Sequence, residues 1–501
     1  MREKSRGNDK KMKYFSTRNA KITRTPAEAV TEGIAPDGGL YLPEAFLPFP
    51  MERLAEMTRK EISVSVLSRL FDDFTEEELL AAVSAAYDTN FENGDIAPLA
   101  SVGDVSVMEL WHGPTCAFKD VALSLLPHLL TASAKKCGVT DEICILTATS
   151  GDTGSAALSG FSNVEGTRII VFYPDGGVSP AQKKQMVTCD GKNTTVCAVR
   201  GNFDDAQSGV KAIFTGTTPR EGMRYSSANS INIGRLAPQI AYYFTAYRDL
   251  LACGRVKMGD PVNFVVPTGN FGDILAGYFA MRMGLPVGRL VCASNENRVL
   301  TDFFATGEYD RRREFRLTTS PSMDILISSN LERLLTLYAG TEKTAEWMKQ
   351  LSSEGYYRLD GETHAAMRTL FSAGCADDGE TAATIRRYFE EYGYLADPHT
   401  AVALSVYEKW MASEEANGYP TVVLSTASPY KFSRPVLKAL GKEPTGDEFA
   451  DMQCLSEISG MPIPAPLASL AGRAVVHTDI CDVDKMPAFV AKKTEAKVWS
   501  K

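Results

Sequence analysis

The chain has 501 residues, enough for two or three domains of about 150 residues each and for sizeable buried cores. Its apolar share of 44% and charged share of 23% are ordinary for a water-soluble globular protein. A net charge of -9 argues against nucleic acid or an anionic membrane as the main partner, though not against a small anionic substrate.

The opening MREKSRGNDKKMK is basic but has no apolar run, so it does not read as a secretory signal, and an unstructured lead-in is expected there. Residues 14–100 read as a small N-terminal domain. TPAEAVTEGI predicts a short helix, and APDGGLYLP a tight turn into an edge strand. RLAEMTRKEISVSVLSRLF and TEEELLAAVSAAY have helical periodicity with acidic first turns. From 101 the pattern changes to short apolar runs alternating with helical stretches: EICILTAT, GSAALSGF, TRIIVFYP, TTVCAVRG, FDDAQSGVKAIF. It resumes after 260 with VNFVVP, GDILAGYFAMRMG and RLVCAS, and a late strand, TVVLSTAS, follows. Such alternation predicts an α/β fold of parallel sheets covered by helices on both faces. The expected division is a smaller α/β domain over 101–230 and a larger one over 231–501. Residues 330–420 read as mostly helical, and the last thirty as a surface strand and a charged tail.

The ten cysteines form no CxxC pair, and the five histidines are not spaced with them as in a zinc site. Free thiols in a reducing compartment, hence a cytoplasmic location, and no metal are expected. No apolar run approaches a membrane span.

Two strand–loop–helix units are suited to an anion. In ILTATSGDTGSAA a helix N-terminus meets the hydroxyls of Thr149, Ser150 and Thr153. In FVVPTGNFGDILAG, Gly269 and Gly272 bracket Asn270 and Phe271, and Asp273 opens the helix. Each alone is equally an ordinary capped turn, and neither is a Walker or dinucleotide fingerprint. In WHGPTCAFKD, Lys119 stands at a helix entrance with Asp120 as a natural N-cap. On spacing alone a solvated lysine is the better reading. A buried amine there would lose its proton more readily, as Schiff-base chemistry requires.

Taken together, APDGGLYLP, HGPTCAFKD, TATSGDTGSAA, GNFDDAQ, SINIGRLAPQIAYYF, PTGNFGDILAGYFA, TSPSMDILISSNLERLL and STASPYKF resemble the signatures of the threonine synthase family, in that family's order. The resemblance is to its longer class, found in yeast and many bacteria, and it runs over nearly the whole chain. It implies a fold-type II pyridoxal-phosphate enzyme, with pyridoxal 5′-phosphate held between two α/β domains. By resemblance Lys119 bonds the cofactor as a Schiff base, Gly269, Asn270, Phe271, Gly272 and Asp273 form its phosphate cup, and Thr426 faces its pyridine nitrogen. Ser150, Asp152 and Thr153 match the substrate loop, and Asn229, Ser230 and Arg235 the residues that receive the substrate phosphate.

The implied reaction takes O-phospho-L-homoserine and water to L-threonine and phosphate, by phosphate elimination and addition of water at Cβ. The implied assembly is a monomer or homodimer. Asp152 stands where other fold-type II enzymes carry asparagine near the cofactor's phenolic oxygen. An ionised Asp152 would repel a phenolate, so a proton on one of them, or a water between, is expected. Ile233-Gly234 and Ser428 also depart from the family pattern, and Cys116 reads as a small packed thiol. The rival readings are another pyridoxal-phosphate lyase, such as a dehydratase or phospholyase, and a non-catalytic binding homologue.

Overall fold

The structure is a computed structural model that describes residues 11–499. The first ten residues of the expected lead-in lie outside the described residues.

The N-terminal unit is built on a three-stranded antiparallel sheet in the order Asn19–Arg24, Tyr14–Ser16, Tyr41–Pro43. Its helices Pro26–Glu32, Arg59–Ser68 and Glu76–Tyr87 each begin with a threonine and carry glutamate three residues on. Thr25 with Glu28, Thr58 with Glu61 and Thr75 with Glu78 satisfy each other's backbone amides reciprocally. The acidic first turns read from sequence are these capping boxes. The three helices pack on two long ones, Lys119–Lys136 and Ile233–Ala252.

Two sheets make up the rest. The smaller has five parallel strands in the order Asp479–Asp482, Thr194–Arg200, Thr167–Pro174, Glu142–Ala148, Met223–Ser226. The larger has six, in the order Phe371–Cys375, Val287–Ser294, Val262–Pro267, Thr421–Ser425, Val105–Glu109, Leu99–Val102, of which only the last runs antiparallel. Strands Val262–Pro267 and Thr167–Pro174 are buried along their whole length, which is why they read as mostly apolar runs.

The sheets do not follow the boundaries drawn from sequence. Leu99–Val102 and Val105–Glu109 belong to the larger sheet, because Val105–Glu109 pairs with Thr421–Ser425. Asp479–Asp482 pairs with Thr194–Arg200 and so returns the C-terminal segment to the smaller sheet. The expected charged tail includes a helix, Met486–Thr494, and Trp499 donates its indole N–H to the Thr167 carbonyl at 2.7 Å. The mostly helical stretch also contains Phe371–Cys375, which adds to the larger sheet's edge.

Candidate active site

Four strands end at one cleft, and each delivers part of the site from its C-terminal end, where open parallel sheets bind ligands. Val105–Glu109 leads to the Lys119 segment, Glu142–Ala148 to Ser150–Thr153, Val262–Pro267 to Gly269–Asp273, and Thr421–Ser425 to Thr426. Two segments are knitted directly: the Phe118 N–H donates to the Thr426 carbonyl at 2.8 Å, and the Ser428 N–H to the Cys116 carbonyl at 3.1 Å.

Lys119 is the first residue of its helix, which has Phe118 at its N-cap position and no side-chain cap. Asp120 is therefore inside the first turn rather than the cap. Its carboxylate accepts from the Thr115 N–H at 2.8 Å and from the Thr115 hydroxyl at 2.5 Å, closing the preceding turn. Cys116 in that turn is buried at a φ of 57°, an uncommon conformation for a side-chain-bearing residue, and burial pushes its thiol up. That fits the packed-thiol reading.

Lys119 is half-buried by its accessible surface, and the protein packed around its amine pulls it down to about 8. Asp152 and Asp273 oppose that shift, while Arg235 and Lys431 add to it. Its Nζ donates to Ser322 Oγ at 3.4 Å, and Ser322 Oγ donates to Asp152 Oδ2 at 3.1 Å. Ser322 is itself placed from behind. Its N–H donates to His399 Nε2 at 3.1 Å, so that nitrogen carries no proton, and His399 Nδ1 lies 2.7 Å from Asp397. The Asp152 carboxylate also accepts from Gln182 Nε2 at 2.9 Å and lies 2.6 Å from Lys431 Nζ. Burial pushes this carboxyl up, but Lys431, then Lys119, outweigh it and hold it well below the usual range. Asp152 is thus ionised with its charge offset by Lys431, which was not among the expected arrangements.

The loop after Val262–Pro267 turns through Phe271, at a φ of 63°, into the helix Gly272–Arg282. The left-handed residue is thus Phe271, not a glycine, and its ring is held against Phe304 and Phe371 at 6.0 Å each. Asp273 sits one residue inside the helix, accepts from the Ile274 N–H at 2.9 Å, and is pushed up to about 7 by burial. A side chain on Gly269 would stand 2.7 Å from the Ser322 carbonyl, so only glycine lets the two loops approach. The loop's carbonyls are taken from outside: Gly269 O by Ser328 Oγ at 2.7 Å, and Asn270 O by Asn330 N and Nδ2 at 3.1 and 3.0 Å. Of the first-turn amides, the Ile274 N–H is taken by Asp273, and the start of such a helix is suited to an anion. Asn270 is exposed, its side chain directed to Ser329 rather than toward Lys119.

Ser150 and Thr153 are half-buried around the start of the helix Asp152–Phe161, which follows Gly151 at a φ of 137°. Ser230 stands beside Gly272, its Cβ 3.9 Å from where a glycine substituent would lie. Asn229 gives its carbonyl to the Asn232 N–H. Arg235 is buried at 3% exposure; it donates to the Ala228 carbonyl at 2.6 Å and leaves Nε without an acceptor. No carboxylate among the described residues pairs with it, and burial lowers its guanidinium to about 10. Thr426 is buried at the strand end.

Of the expected residues, Lys119, Asp152, Arg235 and Asp273 lie close enough for their charges to act on one another, and Thr426 is joined to the Lys119 segment, whereas Asn270 is exposed; Ser322 and Lys431 join this network. Ser322 and Lys431 lie in the sequence stretches quoted for the resemblance, yet nothing local marks them. Their roles come from contacts between distant segments. A cavity of ≈ 630 Å³ opens beside this network, bounded by Ser150, Gln182, Pro321 and Phe432 among others.

Residues 97–375 match the family described as pyridoxal-phosphate dependent enzyme. Residues 13–87 match the threonine synthase N terminus, and 400–478 the threonine synthase C-terminal family. The chain is 39% identical to threonine synthase-like 1 of Macaca fascicularis over 436 residues, covering 83% of this chain but 58% of that relative's length. It is 36% identical to the threonine synthase of Eremothecium gossypii, over 85% of this chain and 89% of the relative. A crystal structure of PLP-bound threonine synthase from Brucella melitensis superposes with a TM-score of 0.86 at 36% identity, covering 97% of this chain and all of that one. The chain belongs to the threonine synthase family of pyridoxal-phosphate dependent enzymes.

Proposed function

We propose that the protein is a threonine synthase, which takes O-phospho-L-homoserine and water to L-threonine and phosphate with pyridoxal 5′-phosphate as cofactor. The observation that carries this reading is Arg235: a buried guanidinium with no carboxylate partner among the described residues and an unspent Nε–H, on the helix that packs against the Gly269–Asp273 loop's own helix. A buried charge of this kind calls for a ligand anion.

The residues present fit the cofactor. Lys119 supplies an amine of lowered proton affinity, and Gly269 to Asp273 a helix N-terminus bracketed by glycines. Thr426 supplies a hydroxyl, which does not hold a pyridine nitrogen protonated as a carboxylate would. When bound, pyridoxal phosphate supplies the electron sink that no side chain offers.

The chain's own groups do the rest. With a proton affinity near neutrality, Lys119 Nζ can take up and return protons at the substrate carbons. Ser150 and Thr153, at the helix start, receive the substrate carboxylate, and Asp152 keeps its charge for the Lys431 and Ser322 contacts. Arg235, with Ser230 and Asn229 nearby, grips the phosphate and stabilises it as it leaves.

A cytoplasmic location and a monomer or homodimer belong to the same proposal. The ten cysteines are all unpaired, and no described helix is long and apolar enough to cross a membrane. The decisive measurement is incubation with O-phospho-L-homoserine and pyridoxal phosphate, following threonine and phosphate together. Equal amounts of both are expected, lost in Lys119→Ala. Phosphate with 2-oxobutanoate and no threonine would overturn the reading in favour of a lyase.

A further inference from the structure

Lys431 has no part in the chemistry above, yet its side chain is fully buried. A lysine is almost never buried to this degree without a charge partner. Its partner is Asp152, at 2.6 Å from Oδ1, in a contact of charges rather than a directed hydrogen bond. The same carboxylate receives the Ser322 hydroxyl proton on its other oxygen, at 3.1 Å. A serine hydroxyl has one proton. With that proton committed to Asp152, Ser322 presents lone pairs to Lys119 Nζ, 3.4 Å away. The chain of contacts therefore has a direction: ammonium, carboxylate, hydroxyl, reactive amine.

The charges around Lys119 come from every side. Asp152 heads one helix, Arg235 lies on a second, Asp273 on a third, and Lys431 on the turn after Thr421–Ser425. Cys116 and Asp120 lie on its own segment, Asp120 committed to Thr115. Asp152 alone would draw a proton onto Lys119. Arg235 and, after it, Lys431 offset that attraction, and Lys431 does so without displacing the carboxylate from Ser322.

We propose that Lys431 is a positioning residue: paired with Asp152, it fixes the orientation of Ser322 against Lys119 and disfavours protonation of the Lys119 amine. The pair also presents no net charge to an anionic ligand oxygen near Asp152, which removes the repulsion that a bare carboxylate would exert. This rests on Lys119 being the amine that bonds the cofactor.

The test uses the full chain stripped of pyridoxal phosphate. The rate at which visible absorbance returns on adding the cofactor is measured from pH 6 to 10. Borohydride reduction and peptide mapping then identify the bonded lysine. In the unaltered chain the rate should rise with a midpoint near pH 8. Lys431→Met removes a positive charge, so Asp152 and Lys119 both hold protons more tightly, and the midpoint should move up by about one pH unit. Asp152→Asn should move it down. The double variant, neutral and still able to hydrogen-bond Ser322, should return it close to the unaltered value. Midpoints unmoved in the single variants, or a double variant that stays with Lys431→Met, would overturn the proposal. Should Lys431→Met not fold, Asp152→Asn and the double variant pose the same question. Bonding at a lysine other than Lys119 would instead defeat the functional reading on which the proposal rests.

Discussion

At the scale of single residues, the site is built from charges that the fold leaves incompletely paired. Arg235 is the clearest case. Arg235→Met should lower kcat/KM for O-phospho-L-homoserine about 100-fold or more, since charge-assisted hydrogen bonds are worth about 1.5–3 kcal/mol each. Steady-state kinetics check this. The same variant should melt no lower than the parent, because it removes a buried cation that has no carboxylate partner. Lys119 gives a pH prediction. Its folded-state value of about 8 lies below the ordinary 10.5. Below pH 8 both states hold the proton, and the folded chain carries the full cost of enclosing it. Between 8 and 10.5 only the unfolded chain remains protonated, so this group's contribution to stability rises with pH. Lys119→Met should therefore stabilise the cofactor-free chain most below pH 8, with the difference closing toward 10.5. Denaturant melts at several pH values test this. The two glycine loops were legible in the sequence as turns suited to an anion, because glycine, hydroxyl and helix-start patterns are local, whereas Lys119 stood out only through the chain-wide resemblance. Ser322 was not legible, because it meets Lys119 across 203 residues of chain.

At the scale of elements, close packing sets the geometry that these charges need. Helices Lys119–Lys136 and Asp152–Phe161 carry Lys119 and Asp152 at their N-termini and pack against each other. They approach so closely that a Cβ on Gly160 would stand 2.0 Å from the Leu123 carbonyl. Gly160→Ala should gain helix propensity yet lose about 1–3 kcal/mol net as the helices are forced apart. Chemical denaturation measures the loss, and a shifted cofactor absorbance would report the displaced Lys119. Helices in the N-terminal unit were readable from periodicity and acidic first turns, and the structure shows that those acids close capping boxes with threonines within one turn. Asp120 misled for the converse reason. It has the residue type of a cap, but Thr115, fixed by the preceding Gly113–Cys116 turn, takes the carboxylate instead.

At the scale of the molecule, the C-terminal segment closes the smaller sheet. Asp479–Asp482 covers the edge of Thr194–Arg200, and Arg168 donates to the carbonyls of Lys493 and Ala496. Removing residues 479–501 should bare that edge and the apolar surface beneath it, giving a chain that associates at micromolar concentration. Light scattering and size-exclusion chromatography would show it, and a dispersed truncated chain would refute it. By itself the sequence determined the α/β class and the helices of the N-terminal unit, and it marked two strand–loop–helix turns suited to an anion, because periodicity and turn chemistry act within a few residues. The tertiary structure decided which sheet each outlying strand joins, and that Lys431 offsets Asp152 beside Lys119. Strand pairing and buried charge compensation depend on groups brought together from distant parts of the chain, and no local pattern records them.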